Sequence, residues 1–140
     1  MNAEFITAIA SVIAIVVGLF SLHKQLQSQF FAEYTRRYSE LMEKMPVEYF
    51  DPQKSKEISL NDEMLKICRF YYDLSSEEYE LNRQKRLNPR VWRFWESGIK
   101  ETVNLPVFEK AWSQKLNCQY NDDFRKYINN LITNSNEVSK

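Results

Sequence analysis

The chain is poor in the residues that chemistry most often needs. It has one histidine, His23, and two cysteines, Cys68 and Cys118, too few and too far apart for a disulfide framework or a His/Cys metal site. Glycine occurs only at Gly18 and Gly98, which rules out a glycine-rich phosphate loop. Adjacent acids such as Glu77 and Glu78 are present, but a solvated helix surface carries such pairs as a matter of course. The expectation is a non-enzymatic protein with no cofactor and no bound metal. Nor is there an excess of either charge: 19 basic residues face 19 acidic ones, which argues against duplex nucleic acid as a partner. Repeats and low-complexity tracts are absent as well. Cys68, among Ile67, Tyr71 and Tyr72, reads as a buried structural thiol.

The most telling scarcity is local. No charged residue lies between Phe5 and Leu22, and no lysine or arginine precedes Lys24. At about 1.5 Å per residue this run covers roughly 27 Å as a helix, close to the hydrocarbon thickness of a bilayer. A cleaved signal would carry a basic n-region and a small-x-small site, whereas Glu4 is the only charge before the run and Leu22-His23-Lys24-Gln25 follows it. An uncleaved transmembrane anchor is therefore expected. Lys24, Arg36 and Arg37 flank its C-terminal side, so the positive-inside rule puts the N-terminus outside and the rest in the cytoplasm. The expected organisation is a membrane segment over 1–27, a cytoplasmic domain over 28–132 and a polar tail over 133–140.

What is abundant is aromatic: tyrosine, phenylalanine and tryptophan make up 14% of the chain. With so little glycine, this favours a compact all-α fold. Leu22, Leu26, Phe30, Tyr34, Tyr38, Leu41 and Met45 recur at helical spacing, so one helix of about 40 residues should run from the membrane to a stop before Pro46. Residues 46–57 read as a loop. A second helix should start near Ser59 or Asn61 and sit at the centre of the core with a wide apolar set, Leu60, Met64, Leu65, Ile67, Cys68, Tyr71, Tyr72, Leu74 and Leu81. Asn88-Pro89 opens a third, with Val91, Trp92, Trp95, Ile99 and Val103 on one side. Pro106 starts a fourth through Phe108, Ala111, Trp112 and Leu116, and Asn121 caps a last one through Phe124, Ile128 and Leu131.

Two patterns are candidate functional features. Arg83, Lys85, Arg86, Arg90 and Arg93 straddle Asn88-Pro89 beside Trp92 and Trp95. Exposed helix amides with guanidinium groups can hold a phosphate, and an indole such as Trp95 can stack on a base. The plainer alternative has the arginines solvated or paired with Glu77, Glu78 and Glu80, and the tryptophans in the core. The second pattern is a stripe of small residues. Of twelve Ala, Ser, Thr or Gly residues in positions 1–45, nine share one 4,3 register that includes Thr7, Ser11, Ala14, Gly18 and Ser21 and runs on through Ser28, Ala32, Thr35 and Ser39. Such a stripe lets membrane helices approach closely, which suits a homo-oligomer seam or, in a ring, the lining of a narrow pore. Its alternative is a monomeric anchor with ordinary scatter of small residues.

EYTRRYSELMEKMP (33–46), CRFYYDLSSEEYELNRQKRLNPRVWRFW (68–95) and SGIKETVNLPVFEKAW (97–112) resemble a group of small bacterial single-span membrane proteins defined only by a domain of unknown function. That resemblance implies structural roles for Tyr34, Tyr38, Tyr72, Tyr79, Trp92, Trp95, Phe108 and Trp112. The architecture alone is similar to membrane effectors of antiviral systems of the type III CRISPR kind, whose cytosolic domain binds a cyclic oligoadenylate. The likeness implies an oligomeric effector or sensor in the bacterial inner membrane, acting on the lipid bilayer, with a cyclic oligonucleotide or a protein as its cytoplasmic partner. A monomeric tether or protein-interaction module is the alternative.

Overall fold

The structure is a computed structural model that describes residues 2–137, with side chains for all of these except 4, 5 and 133–137. It is all-α, without strands among the described residues. The first helix, α1, runs from Ala3 to Lys44 without interruption and is followed by α2 (Pro52–Glu57), α3 (Asp62–Arg83), α4 (Pro89–Val103), α5 (Pro106–Ala111) and α6 (Asp122–Glu137). Two units divide the chain between Thr35 and Arg36, a point inside α1 and later than the 27/28 boundary expected from hydropathy.

In the first unit, α1 is long and apolar enough to cross a membrane, and none of its apolar window is covered by protein. Val12, Leu19 and Phe20 are each about three-fifths exposed. Its hydroxyls turn inward on their own helix: Thr7 Oγ1 donates to the Ala3 carbonyl at 3.0 Å, and Ser11 Oγ to that of Thr7 at 2.9 Å. This back-bonding is how a polar side chain satisfies itself in an apolar setting.

The second unit is built on α3. Asn61 caps it by accepting the Met64 amide, Asp62 and Glu63 complement its dipole, and Ile67, Cys68, Tyr71, Tyr72, Leu74 and Leu81 are buried. Tyr72 has its ring 4.7 Å from that of Trp112, and its hydroxyl donates to the Phe108 carbonyl at 3.1 Å. Trp112 meets Phe124 of α6 edge-on at 88°, while its indole N–H donates to Asn129. Tyr79 stacks on Tyr127 at 4.6 Å and also adjoins Trp92. Aromatic pairing of this kind adds to plain area burial, and it accounts for the aromatic richness of the sequence.

Residues 46–57, expected as loop, are mostly helical: a 3-10 turn at Val47–Phe50 leads into α2. The physical reason is local. Asp51 accepts the amides of Gln53 and Lys54, and Pro52 occupies the first turn, where its missing N–H costs nothing. Past α5 the chain widens into a π turn at Trp112–Leu116, which keeps Trp112 and Leu116 both buried, and then tightens into a 3-10 turn at Asn117–Gln119. The expected polar tail is helical as far as Glu137, and its last three residues lie outside the described residues.

Candidate functional site

The basic group gathers around the turn from α3 to α4. The α3 end closes with the Arg86 amide bonded to the Leu81 carbonyl and the Lys85 amide to that of Asn82, both at 2.9 Å, and Lys85 takes φ 56°. This left-handed position usually goes to glycine. Asn88 Oδ1 then accepts the Arg90 amide at 2.9 Å, so α4 begins with its own cap.

The five predicted ligand residues fall into different settings. Arg83 is engaged structurally: it pairs with Asp123 of α6 at 2.7 Å, lies 3.6 Å from Glu80 and sits over the Tyr79 ring. Arg86, Arg90 and Arg93 are exposed, and Trp95 is half-buried. Trp92 is buried against Tyr79 and Tyr127, so its face is taken. Arg90, Arg93, Phe94 and Ser97 share one arc of about 100° on the outer side of α4. Phe94 is 73% exposed, the largest apolar surface on that arc. The seam residues Thr7, Ser11, Ala14, Gly18 and Ser21 are all exposed, and a Cβ placed on Gly18 meets nothing within 4 Å.

A second polar group lies where residues 36–44 of α1 meet α3 and α4. Arg37 forms a two-pronged ion pair with Glu77, at 2.5 and 3.1 Å. One residue on, Glu78 is only 7% exposed and makes no hydrogen bond among the described residues, against the expectation that it pairs with an arginine or stays solvated. Burial pushes its carboxyl up to about 8; Arg37 opposes this and the Glu77 carboxylate adds to it. Ser75 and Thr102 are buried around Tyr71, whose hydroxyl is raised by the same desolvation, and Tyr38 is raised for that reason and by the charges of Glu78 and Glu101. Beside this cluster a groove of about 390 Å³ is lined by Arg37, Leu41, Lys44, Phe70, Asp73 and Glu77, among others.

Sequence reasoning missed Glu78, although a signal existed. Ile67, Tyr71, Leu74, Glu78 and Leu81 follow one 4,3,4,3 register, so an acid occupies a core position. Ser55 was missed too: fully buried on α2, it accepts the Val107 amide at 3.0 Å and caps α5 from a distance. Cys68 is buried as expected, its thiol pushed up to about 12 by desolvation and therefore unreactive. No family model, curated protein or solved structure matches the chain.

Proposed function

We propose that this is a single-pass, non-enzymatic protein of the bacterial inner membrane, with its N-terminus outside and a cytoplasmic helical domain that works as a sensor or effector. The observation that carries the reading is the bare apolar length of α1. A soluble protein that exposed Val12, Leu19 and Phe20 on every side of a helix would aggregate, whereas lipid covers them at no cost. The same helix continues into the domain as residues 36–44, where the Arg37–Glu77 pair fastens it to α3. Binding of a ligand or protein to the domain, a cyclic oligonucleotide being one such ligand, then reaches the span through one element, provided the ligand favours one of two arrangements.

In this reading copies of α1 associate along Thr7, Ser11, Ala14, Gly18 and Ser21. Replacing Gly18 and Ser11 together with leucine is expected to lose crosslinked oligomers in native membranes at least several-fold, since small-residue packing is the main source of such association. Unchanged crosslinking removes the seam. The rival reading, a monomeric tether, draws support from the back-bonded hydroxyls of Thr7 and Ser11, whose protons are already used within their own helix. Crosslinking of the unaltered chain separates the two, because a tether needs no contact between copies.

A further inference from the structure

The outer face of α4 has a composition that neither the core nor the helix caps account for. From Gln84 to Trp95 there is no acidic residue, while Lys85, Arg86, Arg90 and Arg93 all fall in this stretch and are exposed. The nearest acid beyond it, Glu96, is half-buried and accepts the Tyr127 hydroxyl at 3.3 Å. At one edge of the arc stands Phe94, 73% exposed, about 40° around the helix from Arg90 and about 100° from Arg93. Lys85 adds a cation at a backbone position, φ 56°, that glycine occupies with less strain.

A basic arc bordered by one protruding aromatic ring complements a surface that is anionic outside and apolar just beneath. We propose that the α3–α4 turn and the first two turns of α4, through Lys85, Arg90, Arg93 and Phe94, dock on anionic phospholipid headgroups. The arginines pair with phosphates, and the Phe94 ring inserts at the headgroup level, as aromatic side chains do at membrane interfaces. The inference rests on the membrane reading of α1: a domain tethered to a bilayer meets its lipid surface at high effective concentration, so a few charges suffice. Docked and undocked arrangements would then supply the two states that a sensor requires.

The test uses the full chain in nanodiscs of phosphatidylcholine alone or with about one third phosphatidylglycerol. An environment-sensitive fluorophore is placed at Ser97→Cys with Cys118→Ser; the fully buried Cys68 is left out of reach. Docking is expected as a blue-shifted, brighter emission in the anionic discs alone, reversed by about 0.5 M salt. Replacing both Arg90 and Arg93 with glutamine should lower the docked-to-undocked ratio roughly 25-fold, at about a factor of five per basic side chain. Phe94→Ser should lower it further at unchanged helicity. Equal emission from inserted protein in both discs overturns the docking alone, as does a shift produced in neutral discs by a cyclic oligoadenylate and not by anionic lipid. Loss of the chain from the discs in alkaline carbonate overturns the membrane reading and the docking with it.

Discussion

Glu78 and Tyr49 are buried polar side chains with no hydrogen bond among the described residues, and they differ in what that costs. The Glu78 carboxyl avoids the cost by holding its proton, with a folded-state value near 8 against an ordinary 4.5. Below about pH 4.5 the acid is protonated in folded and unfolded chains alike. Between 4.5 and 8 only the folded chain keeps the proton, so its stability falls as pH rises; above 8 both forms are ionised and the loss is complete. Glu78→Gln is expected to remove this slope and to raise stability at pH 8 by on the order of 2–4 kcal/mol, read from thermal melts across that range. A parallel pH dependence of both proteins would show that Glu78 is ionised where it sits. Tyr49 cannot shed its polarity: its hydroxyl is buried and has no partner among the described residues. Tyr49→Phe should therefore leave stability unchanged or raise it by about 1 kcal/mol, where an ordinary buried tyrosine would lose that much.

Helix starts were the most legible part of the sequence, because capping chemistry is local. Asn61, Asn88 with Pro89, and Pro106 each open a helix where their side chains and ring geometry require it. What the sequence did not disclose depends on contacts made across distance. The 46–57 segment carries two prolines and reads as a loop, yet Asp51 and Pro52 start α2, whose buried Ser55 satisfies the Val107 amide of α5. Leu105, at the N-cap position of α5, offers no side-chain acceptor of its own. Ser55→Ala is expected to strand the Val107 N–H and cost about 1–3 kcal/mol, while Ser55→Thr retains most of the stability if the methyl is accommodated. A loss well under 1 kcal/mol in a melt of Ser55→Ala would mean that α5 does not depend on this distant cap. The same limit applies to the basic group. Spacing placed Arg83 beside Arg90 and Arg93, but Asp123, 40 residues away, pairs with Arg83 and ties it to α6.

For the whole molecule, an apolar helix without protein cover and a compact aromatic domain share one continuous element, α1. A helix long and apolar enough to cross a membrane was plain in the sequence because one uncharged run decides its length and composition, and the all-α class followed from the scarcity of glycine and the helical spacing of apolar residues. The central claim is that α1 crosses the bilayer with the domain on the cytoplasmic side. Cys118, exposed on that domain, and a cysteine introduced at Asn2 report the two sides directly, with Cys68 buried and silent. In intact spheroplasts a membrane-impermeant maleimide is expected to label Asn2→Cys and to reach Cys118 only after permeabilisation. Labelling of Cys118 in sealed spheroplasts, or recovery of the chain in the soluble fraction, would contradict it.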